Sequence, residues 1–332
     1  MILVTGGTGL VGAHLLLRLV EKNNQVRAIY RNEKNIFKTE NLFKLMNKLD
    51  LFSQIEWFEA DINDIPALEE AFIDINEVYH CAAMVTFTSS KNEKMQKINI
   101  EGTANMVNLS LVFDVKKFCH ISSIATLDET IIGTNLIDET SNWNPNGNHS
   151  DYAISKFGAE TEVWRAAQEG LNVVILNPGV IFGIGFPDQG SGEIITKMKS
   201  GFPFYTDGKT GVVSVNDVVS CMIGLMENNI FNQRFVLVGE NISYEVLFKK
   251  LSRFLNKKIN FLEAKKWMLA IAWRIDWLLT TLIPNKKRSL TRDLATASFT
   301  KDLYKNDLIK QTLNFEFESS DKFLKEIISK SI

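Results

Sequence analysis

The chain has 332 residues, with 37 Lys and Arg against 39 Asp and Glu. This near balance leaves no strong field to attract polyanions, so nucleic acid is not an expected partner. A hydrophobic content of 45% and a charged content of 23% are typical of soluble globular proteins. The three cysteines, Cys81, Cys119 and Cys221, show no CxxC spacing, which predicts reduced core residues and a cytoplasmic protein.

The first half of the chain alternates short β-rich runs with longer helical patterns. Strands are predicted at residues 2–5, 25–30, 55–60, 77–82, 116–122 and 171–177, and helices at 10–22, 66–73, 92–113 and 152–169. Strict alternation implies right-handed crossovers and a parallel sheet covered on both faces, that is, a doubly wound Rossmann fold of the α/β class. A further helical pattern at 41–51 is interpreted as a surface insertion.

The pattern changes after residue 177. Gly, Pro and polar residues then mix with predicted helices at 193–199 and 216–227 and a strand at 234–238, and the chain is mostly helical from 243 onward. This organisation predicts a dinucleotide-binding domain at 1–177 and a smaller, mostly helical substrate lobe at 178–332, interleaved with the sheet. Such a lobe lies at the carboxyl ends of the strands, where open α/β sheets bind ligands.

The turn TGGTGLVG at residues 5–12 joins the first strand to the first helix. Gly7, Gly9 and Gly12 satisfy GxGxxG, and Gly6 with the last two satisfies GxxGxxG. Glycines let the backbone approach a pyrophosphate at the positive end of the following helix. No Gly-Lys-Ser/Thr follows, which excludes a P-loop, so the pattern predicts a dinucleotide rather than a turn packed for its own sake.

The end of the second strand distinguishes between the two nicotinamide dinucleotides. An acidic residue there binds the ribose hydroxyls of NAD, whereas a nearby Arg accommodates the 2′-phosphate of NADP. The segment AIYRNEKN offers Arg31 and Lys34 and no acid at that position. NADP is therefore the preferred cofactor and NAD the alternative, and a solvated basic turn is the structural alternative for Arg31. Asp61 follows the third strand, where a carboxylate meets adenine or caps the next helix.

The segment YAISK places Tyr152 and Lys156 four residues apart on one face of a predicted helix. An ammonium beside a phenol favours the phenolate, so we expect Lys156 to lower the pKa of Tyr152. A Tyr tuned in this way acts as acid or base on an alcohol or carbonyl oxygen. Ser122 and Ser123 follow the fifth strand, where a hydroxyl holds the substrate oxygen beside the same crevice.

The motifs TGGTGLVG, ADIND, HCAA, INIEGT, HISSIAT, YAISK and NPGVIFG occur in the order of the extended short-chain dehydrogenase/reductase family, over roughly the first 220 residues. That family, also called the NAD-dependent epimerase/dehydratase family, includes dihydroflavonol reductases, 3β-hydroxysteroid dehydrogenases, and nucleotide-sugar epimerases and dehydratases. The chain most resembles the reductase and steroid-dehydrogenase branch. The resemblance implies a homodimer formed through the helices at 92–113 and 152–169.

The resemblance also implies roles for individual residues. Ser123 would bond the substrate oxygen, Tyr152 would be the acid or base, and Lys156 would hold the nicotinamide ribose, with Ser122 a neighbour only. Asp61 and Ile62 would meet adenine, Cys81 to Ala83 would line the ribose path, and Pro178 to Val180 would lie by the nicotinamide. The full predicted cofactor set is Gly6, Gly9, Leu10, Val11, Gly12, Arg31, Asp61, Ile62, Cys81, Ala82, Ala83, Tyr152, Lys156, Pro178, Gly179 and Val180.

Departures from the family pattern favour one chemistry. Dehydratases carry Thr-Asp-Glu where this chain has Ser123, Ile124 and Ala125, and sugar-nucleotide members carry Asn at the position of Val180 and Arg near Thr210. We therefore expect hydride transfer on a small, fairly apolar ketone, aldehyde or secondary alcohol. A nucleotide-sugar epimerase and a non-catalytic NADP(H) sensor are the alternatives.

Two regions beyond the motifs have open interpretations. The run at 267–283 is apolar but interrupted by Arg274 and Asp276, and basic residues follow it up to 288. A pocket or core helix is favoured there over peripheral membrane contact. Four aromatic residues predict an apolar pocket, namely Phe186, Phe202, Phe204 and Tyr205. The four scattered histidines show no metal spacing, so no metal site is expected.

Overall fold

The computed structural model describes residues 1–86, 92–131, 133–283, 288 and 290–330. The strands are β1 Ile2–Thr5, β2 Val26–Tyr30, β3 Ile55–Glu59, β4 Glu77–His80, β5 Lys117–Ile121, β6 Leu136–Ile137, β7 Val173–Pro178, β8 Val180–Phe182, β9 Phe204–Tyr205, β10 Lys209–Ser214, β11 Gln233–Leu237, β12 Glu240–Ser243, β13 Leu262–Glu263 and β14 Leu303–Tyr304. The helices are α1 Leu10–Glu21, α2 Ile36–Leu45, α3 Leu49–Phe52, α4 Ile65–Ala71, α5 Asn92–Gln96, α6 Gly102–Val112, α7 Asp151–Gln168, α8 Ser191–Lys199, α9 Val215–Glu227, α10 Tyr244–Phe254, α11 Lys266–Leu282, α12 Arg292–Ala297, α13 Asp307–Leu313 and α14 Ser320–Lys330.

Among the described residues, seven strands form one parallel sheet in the order β11-β7-β5-β4-β1-β2-β3. This is the predicted doubly wound α/β fold. The chain leaves β1 toward β2 on one side and returns to β4 on the other, so the strand order reverses between β1 and β4. Ligands of open α/β sheets bind at the carboxyl ends of the strands beside such a reversal.

Both faces of the sheet are buried, which explains why its strands read as continuous apolar runs. Leu3 packs with Val78 and Val107 on the face covered by α4, α6 and α7. Its neighbour Val4 packs with residues of α1 and α9 on the opposite face, including Leu16 and Met222. The alternation of consecutive residues between two cores holds β1, and the turn that follows it, in a fixed position.

Three expectations about single elements are wrong or incomplete. The helical pattern at 41–51 forms two helices, α2 and α3, and α2 is not a surface insertion because Leu42 and Phe43 are fully buried. Phe186 packs with Ala13 and Leu42 in a core cluster rather than in a pocket. The strand predicted at 234–238 is β11, which joins the main sheet beside β7.

Smaller elements gather beyond β7. Strands β8, β10 and β12 form a second sheet, on which α8, α10 and α14 pack through a core cluster that includes Phe182, Leu247 and Phe323. Helix α11 is not a core helix, because Asp276 is its one buried residue. Across the described part of the chain, no helix has both the length and the apolar character that crossing a bilayer requires.

Candidate active site

The glycine turn folds tightly against the end of β4. Gly6 has φ of +69°, and a Cβ there would lie 2.8 Å from the backbone nitrogen of Ala82. At Gly12 a Cβ would lie 2.2 Å from the carbonyl oxygen of Gly6. Both positions therefore require glycine, which explains the motif in physical terms. At Gly9 the nearest atom to a Cβ is 3.4 Å away, so packing leaves room there.

Helix α1 begins directly at this turn. The first amide that bonds within the helix is that of Ala13, which donates to the carbonyl oxygen of Gly9 over 2.9 Å. The amides of Leu10, Val11 and Gly12 therefore precede the intrahelical ladder, and the Gly9 cap offers no side-chain acceptor. A bare helix N-terminus beside a close backbone turn fits a pyrophosphate, as the predicted cofactor requires.

The predicted adenosine residues meet at the carboxyl ends of β2 and β3. Arg31 Nη1 lies 3.7 Å from Asp61 Oδ2, and the Arg31 side chain is 61% exposed. Asp61 accepts the amide of Asn63 over 3.0 Å, while the cap of α4 is Asp64, so Asp61 is not the helix cap. Ile62 is buried against Gly102. An exposed guanidinium at the rim is thus placed where it can reach a phosphate group.

A buried chain of hydrogen bonds supports the segment Cys81 to Ala83. The Ala82 amide donates to Thr5 Oγ1 over 3.0 Å, and that oxygen lies 2.8 Å from His80 Nδ1. His80 Nε2 in turn lies 3.0 Å from Thr103 Oγ1. Burial lowers the pKa of His80 to about 3, so the ring is neutral at physiological pH. This chain fixes the end of β4 against the glycine turn.

Asn99 holds the next segment to α7, a role that motif reading did not assign. Its side-chain oxygen accepts the Met84 amide over 2.7 Å, and its nitrogen donates to the Met84 carbonyl and to Ser155 Oγ, each over 3.0 Å. Asn99 lies in a π-helical turn, Lys97–Glu101, between α5 and α6. Such turns are common at functional sites, because they redirect a side chain.

Ser123 and Tyr152 meet across the crevice. Ser123 follows β5 and caps a short 3₁₀ turn by accepting the Ala125 amide over 3.1 Å. Tyr152 lies in the first turn of α7, which begins at Asp151 because Ser150 caps it through the Ala153 amide. The side-chain hydroxyls of Ser123 and Tyr152 are hydrogen-bonded to each other. The two hydroxyls predicted from separate motifs therefore form one pair.

Lys156 lies one turn below Tyr152 and is 2% exposed. Its Nζ donates to the carbonyl oxygen of Ile121 over 2.7 Å. Burial lowers the pKa of Lys156 to about 8, although the charges of Glu160 and Cys81 oppose the shift. The ammonium is thus held at the end of β5, beside the Ser123 loop.

The expectation that Lys156 lowers the pKa of Tyr152 is wrong for the protein without a bound cofactor. The pKa of Tyr152 is raised, because burial disfavours the phenolate, and the hydrogen bond from Ser123 offsets this only in part. The Lys156 ammonium is bonded to a backbone carbonyl instead. Tyr152 is therefore a protonated phenol at neutral pH.

Ser122 turns away from the crevice into a polar cluster that sequence reasoning missed. The Glu160 carboxylate, 2% exposed, accepts hydrogen bonds from Ser122 Oγ over 2.6 Å and from Thr126 Oγ1 and Asn177 Nδ2 over 2.9 Å each. Arg234 Nη1 of β11 donates to the same carboxylate over 3.2 Å. One sequence feature could have revealed Glu160: Tyr152, Lys156 and Glu160 recur every four residues, which places them on one face of α7.

The segment Pro178 to Val180 passes from the main sheet into the second one. The Gly179 amide donates to the Leu237 carbonyl over 3.1 Å, and a Cβ at Gly179 would lie 2.4 Å from the Gly211 carbonyl oxygen. Val180 begins β8 and pairs with Val212 of β10. The glycine thus allows two backbones to pack closely at the carboxyl end of β7, beside the Ser123 loop.

Comparisons with known proteins agree with this geometry. Residues 2–239 match the model of the NAD dependent epimerase/dehydratase family. The chain belongs to this family. The resemblance inferred from the motifs is therefore confirmed, and the family is one of NAD-dependent enzymes.

Individual relatives include both reductases and epimerases. A putative dihydroflavonol 4-reductase of Synechocystis is 27% identical over 286 residues, covering 84% of this chain and 80% of that protein. A UDP-glucose 4-epimerase of Vibrio cholerae is 27% identical over 273 residues, covering 77% and 76%. The crystal structure of gox2253 is 26% identical, with a TM-score of 0.81 over 99% of this chain and 97% of that one.

Proposed function

We propose that the protein is an NAD(P)-dependent oxidoreductase that acts on a small, fairly apolar ketone, aldehyde or secondary alcohol. The observation that carries the proposal is the hydrogen-bonded pair of Ser123 and Tyr152 with Lys156 one helical turn away. The pair lies at the carboxyl ends of the parallel strands, beside the predicted cofactor turn. The reductase among the relatives supports the same reaction class.

Each side chain has one task at the substrate oxygen. Ser123 donates a hydrogen bond that positions it, and Tyr152 transfers a proton to it or removes one. A nicotinamide supplies or accepts the hydride when bound. Because burial raises the pKa of Tyr152, the phenol is protonated at neutral pH and carries the proton that carbonyl reduction consumes. Lys156 supplies a buried positive charge beside the pair. This charge would hold the nicotinamide ribose and stabilise negative charge that develops on the Tyr152 oxygen.

NADP is the proposed cofactor, with NAD as the alternative. Arg31 supports this choice because its guanidinium is exposed at the end of β2 with Asp61 as its partner, 3.7 Å away. A 2′-phosphate offers a doubly charged partner in place of that single carboxylate. The residues proposed to hold the dinucleotide are those of the predicted set, from the glycine turn to Val180.

We propose that residues 1–177 form the dinucleotide domain and that residues 178–332 form the lobe that selects a small-molecule substrate, interleaved with the main sheet through β11. A cytoplasmic homodimer through α6 and α7 is part of this proposal. The family resemblance supports this part of the proposal.

The test is the loss of reduced-nicotinamide absorbance when purified protein meets a panel of ketones and aldehydes, with NADPH and NADH in parallel. Faster loss with NADPH on an apolar carbonyl is the expected result. No loss with either cofactor, despite measured cofactor binding, would contradict the proposal.

Nucleotide-sugar epimerisation is the second candidate, favoured by the similarity to the Vibrio cholerae epimerase. It predicts tightly retained NAD and measurable binding of a UDP-sugar. The absence of an Asn at Val180 and of an Arg near Thr210 argues against it. Calorimetric titration with UDP-glucose separates the two candidates, because a reductase of apolar carbonyls shows no binding.

A further inference from the structure

Helix α11 presents an unusually apolar surface to solvent. Five of its exposed apolar side chains recur at spacings of three and four residues along the helix, namely Trp267, Ile271, Ile275, Leu278 and Leu282. This spacing places them on one face. The stripe runs for about 22 Å at the rise of an α-helix. A patch of this kind marks a binding surface.

The acidic residue within the helix does not interrupt this face. Asp276 is buried, and its carboxylate accepts the amide of Leu290 over 3.0 Å, so it ties the following segment to the inner side of α11. Arg274 lies on the outer side, where its guanidinium stacks 4.4 Å above the ring of Trp273. The outer face therefore combines large apolar side chains with a cation and leaves the carboxylate inside.

The sequence at both ends of this helix is basic. Between positions 264 and 292 the chain has one acidic residue, Asp276, and seven basic residues, namely Lys265, Lys266, Arg274, Lys286, Lys287, Arg288 and Arg292. The whole chain carries a net charge of −2, so this segment stands apart from the rest. Basic residues at both ends of a Trp-containing apolar helix are complementary to an anionic lipid surface.

The elements beside α11 extend the apolar surface. Strand β13 precedes the helix and pairs with β9, and Leu262, Phe204 and the nearby Phe202 are all exposed. On the other side α11 packs on α12. Burial, together with the nearby charge of Asp151, raises the pKa of Asp293 in α12, so α12 lies near the start of α7.

We propose that α11 docks on an anionic lipid bilayer, with its axis along the membrane surface and its apolar stripe inserted. A second copy of this chain is a poorer occupant, because protein interfaces are depleted in Lys and a symmetric contact would bring the basic segments together. The proposal stands independently of the reaction.

The test is co-sedimentation of purified protein with vesicles of phosphatidylcholine and phosphatidylserine, compared with vesicles of phosphatidylcholine alone. We expect the wild type to pellet with the anionic vesicles and to be released in part by salt. The double variant Ile271→Ser with Leu278→Ser should lower the apparent affinity by about tenfold or more, because two large apolar side chains no longer insert. Arg274→Gln should weaken binding to the anionic vesicles alone.

The matched control replaces two exposed apolar residues elsewhere, Phe37→Ser with Val246→Ser, which should pellet like the wild type. Circular dichroism and thermal melting verify that each variant is folded. Wild-type protein that stays in the supernatant with both vesicle types overturns the proposal, as does a double variant that pellets normally. If instead the double variant turns a dimer into a monomer in analytical ultracentrifugation without changing sedimentation, α11 is a self-association surface and the proposal is also overturned.

Discussion

The hydroxyl of Ser122 donates a 2.6 Å hydrogen bond to the buried carboxylate of Glu160. The next residue, Ser123, turns the other way and bonds Tyr152. Ser122 therefore supports the loop, and Ser123 faces the crevice.

This division predicts opposite phenotypes for two similar variants. Ser122→Ala should lower the free energy of unfolding by about 2 kcal/mol, because a hydrogen bond to a buried charge is lost, and should retain most of the hydride transfer. Ser123→Ala should leave stability within about 1 kcal/mol of the wild type, since its partners are less buried, and should strongly reduce kcat. Urea denaturation and steady-state kinetics measure both; equal activity losses would contradict the division.

The glycine turn predicts a contrast between two Gly→Ala variants. Gly12→Ala places a Cβ 2.2 Å from the Gly6 carbonyl oxygen, so the free energy of unfolding should fall by about 3 kcal/mol. Gly9→Ala meets its nearest neighbour at 3.4 Å, so stability should fall by about 1 kcal/mol or less. Cofactor affinity should nevertheless drop at least about tenfold, if this open side faces the pyrophosphate. Thermal melting and fluorescence titration with NADPH are the measurements, and unchanged affinity in Gly9→Ala would place the phosphates elsewhere.

The buried Lys156 predicts a rise in stability with pH. Burial lowers its pKa from the ordinary 10.5 to about 8, so between these values the unfolded chain holds a proton that the folded chain has released. Stability increases with pH wherever the unfolded state binds more protons. The cost of burying the ammonium is therefore fully present below pH 8 and is relieved toward pH 10.5.

The control for this titration is Lys156→Met, which keeps the length of the side chain and removes the charge. The difference in unfolding free energy between wild type and variant isolates the contribution of Lys156 from other alkaline titrations. In urea denaturation series at several pH values, the free energy of unfolding of the wild type should increase relative to that of the variant as the pH rises. A constant difference would show that the lysine keeps its ordinary pKa.

The position of Arg31 predicts that its removal weakens the binding of NADPH but not that of NADH. Arg31→Ala should raise KM for NADPH by about tenfold or more, because a charge-assisted contact with the 2′-phosphate is removed. KM for NADH should change little, and stability should fall by less than about 1 kcal/mol, because the pair with Asp61 is largely exposed. Lys44→Ala, which removes an exposed basic residue of α2 outside the predicted cofactor set, is the control. Equal weakening of both cofactors would argue that Arg31 does not read the phosphate.

Much of the fold followed from local patterns. Strand β1 and helix α1 were predicted within a residue, because an apolar run, a glycine turn and a helical period follow one another directly. The parallel, doubly wound sheet followed from the alternation of strands and helices. Ser123, Tyr152 and Lys156 were predicted as neighbours, because both motifs lie at the same edge of one sheet.

The missed features depend on distant contacts. Burial of Leu42 and Phe43 requires α1 and the core beneath it, which the amphipathic pattern of 41–51 does not reveal. The Glu160 cluster joins residues from β5, β7, α7 and β11 across more than seventy positions of sequence. The pKa direction of Tyr152 depends on how deeply the phenol is buried, which spacing to Lys156 does not determine.

Tyr152 is proposed to transfer the proton while hydride moves, and the variant Tyr152→Phe tests this role. The measurement is a single-turnover absorbance trace with NADPH bound and a carbonyl substrate from the panel in excess, with cofactor affinity measured separately. We expect cofactor affinity to stay within about twofold of the wild type and the hydride-transfer rate to fall by about a hundredfold or more. A variant that binds NADPH and reduces the substrate as fast as the wild type would contradict it.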